Sequence, residues 1–137
     1  MRPIYPIVIL FLLAAVSSAQ LSPDKDRFDV VLHPGDLVER TLKVTNTGDS
    51  TIHEISKTEM SGTAKGYIFL DMPEEEPLVP EDETEIKIFF VLPPETKPGS
   101  YTGFLYLLDS APPSIPIRIE FDLTAIAQES YGMSMTI

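Results

Sequence analysis

The stretch ETEIKIFFVLPPETKPGSYTGFLYLL, residues 83–108, decides how this chain folds. It holds two runs rich in Ile, Phe, Tyr and Leu, each about the length of a strand. Between them stand Pro93, Pro94, Glu95, Thr96, Lys97, Pro98 and Gly99. A tight hairpin takes only about two to five loop residues, often with a glycine in a primed turn. A longer connection with three prolines suits a chain crossing from one sheet to another. Two stacked sheets are therefore expected.

Working outward, alternation supplies the other strands. In residues 38–46, Val38, Leu42 and Val44 share one face, while Glu39, Thr41, Lys43 and Thr45 share the other. That pattern predicts a half-buried strand. Arg40 falls on the inner face, with its head expected to reach solvent from near the strand's end. Residues 115–123 alternate most cleanly, with Ile115, Ile117, Ile119, Phe121 and Leu123 pointing one way. Pro116 cannot donate to a ladder and belongs at a strand start or on an edge. Short strands are also expected at 28–32, 51–58 and 67–70, although Ile52 and Ile55, three apart, demand a bulge or a shortened strand. Turn chemistry separates them at 33–36, 46–49, 62–66 and 110–113. The segment 72–82, with three prolines and five acids, reads as an extended crossover whose Leu78-Val79 plugs the core. No stretch carries helical periodicity with caps. The expected fold is an all-β sandwich of two antiparallel sheets and about seven strands.

The ends read differently. Arg2, the apolar run at 7–16 and the small-x-small pattern Ser17-Ser18-Ala19 form a signal-peptide pattern over residues 1–19. The apolar segment, 13 residues when counted generously from Ile4 to Val16, falls short of the roughly 20 that span a bilayer. Cleavage after Ala19 is expected, and membrane attachment would follow only if the segment stayed uncut. Residues 20–27 read as a linker, 28–127 as the sandwich and 128–137 as a frayed tail. The expected destination is secretion, the cell surface or the cell envelope.

Composition narrows the function. The sequence has 137 residues and no Cys, which excludes thiol catalysis, CxxC redox chemistry, Cys-ligated zinc and disulfides. Stability must come from the core, and a mature chain of about 118 residues is large enough to bury one. The net charge is −11 at pH 7, a surface that repels nucleic acid and anionic lipid. Catalysis has no support: His33 and His53 each stand alone, and no serine lies in a G-x-S-x-G or S-x-x-K motif. The acidic run at 74–76 and 81–83 sits on a proline-rich loop that cannot hold an acid and a base in fixed geometry. It also lacks the alternating order of calcium-binding loops, so it reads as a solvated run that deters edge pairing. No cofactor, metal or catalytic residue is assigned.

Certain residues carry a resemblance to a known family. Pro34-Gly35, then Val44, Asn46 and Gly48, then Pro93, Pro98-Gly99, Tyr101 and Gly103 form the pattern "PG", "V-x-N-x-G" and "P-x-x-x-x-P-G-x-Y-x-G". The chain resembles the immunoglobulin-like modules of prokaryotic cell-surface proteins. Its layout is also similar to the N-terminal domain of pilus-assembly chaperones. In such sandwiches a Tyr near the start of the sixth strand turns its hydroxyl back to a nearby carbonyl. The resemblance thus implies a structural latch at Tyr101, with Gly103 where an antibody domain has its second Cys.

One feature has a functional flavour. With Leu105 and Leu107 inward, Thr102, Phe104, Tyr106 and Leu108 point outward from the sixth strand, where polar residues are usual. Phe104, Tyr106 and Leu108 are the candidate face for a partner or ligand. The first functional expectation is a non-enzymatic domain in adhesion, envelope architecture or assembly, contacting other envelope proteins. A carbohydrate-binding module stacking surface glycans on Phe104 and Tyr106, and an accessory chaperone or pilus-type component working by strand addition, are the alternatives.

Overall fold

A computed structural model describes residues 20–74, 77–109 and 115–127. The expected signal segment, the turn at 110–113 and the tail from Gln128 lie outside these residues.

Eight strands follow one another: β1 Leu21–Pro23, β2 Arg27–Leu32, β3 Leu37–Asn46, β4 Ile55–Lys57, β5 Ile68–Asp71, β6 Glu83–Val91, β7 Gly99–Asp109 and β8 Ile117–Ala125. They form two four-stranded sheets, in the orders β1-β3-β6-β5 and β2-β8-β7-β4. No helix occurs among the described residues. The chain is an immunoglobulin-like β-sandwich. Residues 92–98 carry it from β6 in the first sheet to β7 in the second, so the opening stretch is the crossing its prolines suggested.

The alternation of sequence becomes alternation of burial. Leu42 and Val44 of β3, Ile86, Ile88 and Phe90 of β6, Leu105 and Leu107 of β7, and Ile119, Phe121 and Leu123 of β8 are all buried. Each such side chain contributes about 1.5–3 kcal/mol by leaving water. Phe28, Phe90 and Phe121 meet at the centre, with ring centroids 5.8 to 6.5 Å apart. Arg40 is exposed, although its register partner is the buried Ile88.

Several expectations need correcting. Residues 20–27 are not simply a linker: Leu21–Pro23 pairs antiparallel with β3, and Leu21 is buried. Pro23 is tolerated because β1 is an edge strand, where a missing N–H costs little. The segment then switches sheets, and β2 pairs in parallel with β8. Only Ile55–Lys57 of the expected third strand is regular, while Ile52 forms an isolated bridge to Leu78. That split explains the spacing of three: Ile52 and Ile55 pair with different partners. Of the Leu78-Val79 plug, Leu78 is buried and Val79 is exposed. The last strand starts at Ile117, leaving Ile115 65% exposed rather than in the core.

Asn46 deserves its place in the V-x-N-x-G pattern for a physical reason. Its side chain is fully buried, and Nδ2 donates to the carbonyls of Ser50 and Leu78, each at 2.8 Å. Oδ1 accepts from the Gly48 N–H at 3.0 Å. Its backbone N–H donates to Asp82, and its carbonyl accepts from Glu81. One residue thereby ties the 46–50 turn to the crossover loop, with its polar atoms satisfied.

Candidate functional site

The long strand β7 buries Gly103, Leu105 and Leu107 and turns Phe104, Tyr106 and Leu108 to the outer face of the second sheet. All three outward residues are half-buried. The Phe104 and Tyr106 rings meet edge to face, 5.9 Å apart. On one side, β8 sets Glu120 opposite Phe104 and Arg118 opposite Tyr106. On the other, residues 55–64 run alongside β7. Ser61 exchanges backbone hydrogen bonds with Phe104, and the Thr58 N–H donates to the Tyr106 carbonyl.

A cation covers part of the row. The Arg118 guanidinium lies 4.1 Å from the Phe104 ring centroid, held there by Glu120 at 3.7 Å. Beyond it, Arg27 binds Asp29 at 3.1 Å, Asp122 at 3.0 Å and Glu120 at 3.6 Å. The hydrogen bond that Arg27 donates to Asp29, aided by that carboxylate's charge, raises the Arg27 pKa above its ordinary value. A shallow depression of about 310 Å³ lies at the Phe104 end, between Arg118 and Arg27. The face combines aromatic edges with fixed ion pairs of both signs. Such a surface offers apolar contact and directed hydrogen bonds.

Close approach explains the glycine in this strand. A Cβ on Gly103 would lie 2.9 Å from the Ser61 carbonyl oxygen and 2.9 Å from Met60 Sδ. Glycine here lets the 60–64 segment seat against β7. Tyr101, two residues earlier, donates its hydroxyl to the Lys97 carbonyl at 2.6 Å. Its ring packs edge-on to Tyr67 at 5.1 Å. Tyr101 thus touches the crossing loop and Tyr67, the residue before β5, apart from the Phe104 face.

Other features are soon placed. His33 lies in the turn before β3, 3.6 Å from Asp36, and His53 is exposed. Among the described residues, no group of three or more His, Cys, Asp or Glu is arranged to hold a metal ion. With no helix among them, these residues hold no helix long and apolar enough to cross a membrane. A cleft of about 590 Å³ opens beside β4, with Ile52, Ile55, Met72 and Leu78 in its wall and Glu54, Glu74, Asp82 and Glu83 around it. Sequence reasoning missed Arg118 as the cover of Phe104, because cross-strand pairing is invisible without the β7–β8 register. It also missed Leu37 and Phe69 on the outer face of the first sheet, which are 63% and 52% exposed.

The fold has relatives among solved structures. The ASH/PapD-like domain of human CEP192 (PapD-like domain 7) superposes with a TM-score of 0.60 at 17% identity, over 82% of this chain and 89% of that one. The E. coli chaperone DraB matches with a TM-score of 0.58 at 13% identity, over 78% of this chain and 55% of DraB. A family 123 glycoside hydrolase from Clostridium perfringens matches at 0.59 and 11% identity, over 82% of this chain but 28% of the hydrolase chain. No known family model matches the sequence, and neither does any curated protein. The chain therefore has the sandwich layout of PapD-like domains and pilus chaperones, while these identities carry the fold alone.

Proposed function

We propose that this chain is a secreted or cell-envelope domain without catalytic activity that works by contact with other envelope proteins. The partner face is the row Phe104, Tyr106 and Leu108. The observation that carries this reading is an aromatic pair left half-exposed on an outer sheet face, flanked by paired charges. Protein interfaces favour such a centre of aromatics with Arg and a charged rim. A protein partner suits the face better than a glycan does, because Arg118 already occupies a face of the Phe104 ring that a sugar would stack on.

The test is cross-linking in cells, comparing the wild type with a Phe104→Ser, Tyr106→Ser double variant. Both residues point outward, so circular dichroism should report an intact fold. Loss of the cross-linked partner by about tenfold or more is expected. Unchanged capture sinks the reading, as does recovery of the protein only from the cytoplasm.

A second reading, strand addition, is favoured by one observation. The pairing of β2 with β8 begins at Glu120, so Ile117 to Ile119 extend beyond β2 on that side. An extended peptide could add there through main-chain hydrogen bonds. Such binding would survive the aromatic double variant and fail when Arg118 becomes Pro.

A further inference from the structure

β4 is an edge strand of the second sheet, and the cleft of about 590 Å³ opens beside it, against the residues that leave β5 and enter β6. Its floor belongs to the core. Ile52 and Leu78 are buried and bridge to one another, while Ile55 and Met72 are half-buried in its wall. β4 also has unused main-chain groups. Ser61 exchanges both backbone hydrogen bonds with Phe104, and the Thr58 N–H donates to Tyr106, so the backbone groups of Phe104, Tyr106 and Leu108 point toward β4. Ser56, opposite Leu108, therefore turns its N–H and carbonyl to β7. Ile55 and Lys57, on either side of it, turn theirs away from β7, and neither makes a backbone hydrogen bond outside that ladder.

The charge at the cleft is of one sign. Glu54, Glu74, Asp82 and Glu83 stand around it, and no Lys or Arg lines it. None of these four carboxylates forms an ion pair among the described residues. Elsewhere carboxylates are matched within the chain: Arg27 holds Asp29, Glu120 and Asp122, Lys65 holds Glu59, and Lys87 holds Glu39. Unmatched carboxylates around an apolar floor create a negative potential that a cationic occupant relieves. The chain's own material fits poorly. Residues 128–137, QESYGMSMTI, hold one Glu and no Lys or Arg, and a second copy arrives with a net charge of −11.

We propose that this cleft binds an extended segment of a partner protein that carries both Lys or Arg and apolar residues. The segment's main chain adds to β4 through the free groups of Ile55 and Lys57, the mode in which a peptide extends a sheet edge. Its apolar side chains meet Ile55 and Met72 over the core, and its cations meet the carboxylates at the rim. The site lies off the Phe104 row and away from the exposed start of β8, so it stands or falls separately from the proposed function.

Titration of the purified protein with a blocked hexapeptide of alternating Lys and Val, read by calorimetry and amide NMR shifts, tests it. Saturable binding with Kd below about 1 mM is expected, with shifts concentrated at residues 54–57 and 82–84 and affinity falling as salt rises. A hexapeptide of alternating Lys and Ser, equal in charge, should bind at least about fivefold more weakly. Glu54→Gln with Glu83→Gln should raise the Kd of the Lys-Val peptide at least about fivefold, whereas Glu85→Gln with Glu95→Gln, away from the cleft, should change it by less than about twofold. Lys57→Pro deletes an N–H that points away from β7 and should weaken binding, while Lys57→Ala keeps that N–H and should bind as well as the wild type or better. If circular dichroism shows that Lys57→Pro does not fold, the two Gln pairs decide. Absence of saturable binding, equal affinity for the Lys-Ser peptide, or equal weakening by the two Gln pairs overturns the inference. Loss of binding in the Phe104→Ser, Tyr106→Ser variant puts the peptide on the aromatic row and overturns it as well.

Discussion

Replacing Asn46 by Ala should be among the most costly single changes in this chain. The side chain makes three hydrogen bonds of 2.8, 2.8 and 3.0 Å in a fully buried position. At about 1 kcal/mol each, their loss comes to about 3 kcal/mol. The Leu78 carbonyl keeps a second donor, the Ile52 N–H, which limits the penalty there. The Gly48 N–H loses its side-chain acceptor, which keeps the total from falling much lower. Against a domain stability of about 5–15 kcal/mol, this is a large fraction, worth roughly 10 °C in Tm. Urea unfolding should show the midpoint fall with the slope unchanged. Asn46→Asp sharpens the test. The carboxylate can still accept from Gly48 but would face two carbonyls with no proton to donate, so at pH 7 it should be less stable than Ala. Burial beside carbonyls raises such a carboxyl's folded pKa above its unfolded value near 4, so the deficit should shrink as pH falls and the group is protonated. An Ala variant within 1 kcal/mol of wild type, or an Asp variant more stable than Ala at pH 7, would refute the reasoning.

Three further outcomes are expected. Gly103→Ala should cost about 1–2 kcal/mol by denaturant melt, because the new methyl must push back the Ser61 carbonyl and Met60; a neutral result would show that residues 60–64 yield freely. Tyr101→Phe removes the bond to Lys97 while keeping the ring against Tyr67, so stability should drop by about 1 kcal/mol and amide exchange should quicken at residues 95–97. Glu81 is the one described non-glycine residue at positive φ, +73°. Relief of that strain outweighs the added freedom of the unfolded chain, so Glu81→Gly should raise stability by about 0.5–1 kcal/mol, read as a higher midpoint.

The strands that alternate strictly were the legible ones. Residues 38–46, 83–91 and 117–123 each bury one face against the other sheet, and burial on one side writes a period of two into the sequence. Leu21–Pro23 escaped because a three-residue strand with one buried side chain writes no period at all. Ile115 misled because it continues the period past Pro116, whereas regular β8 pairing starts only at Ile117. The parallel pairing of β2 with β8 joins residues more than 90 positions apart, and no local pattern encodes it. For the Phe104 row, direction was readable from the period but cover was not, since Arg118 arrives from the neighbouring strand. That Leu37 and Phe69 share an outer face required the registers of three strands at once.

The sheet switch between β1 and β2 also has a mechanical meaning. Gln20 enters beside Asn46 and Thr47, at the far end of β3 from Leu37, whereas Ala125 ends β8 beside Leu32, just before the turn into β3. The two ends of the described sandwich therefore leave from opposite poles. A pull between residues 20 and 127 draws β2 and β8 past one another along their length. Their six paired residues then share the load together, as cloth resists along a seam, instead of opening one at a time like a zip.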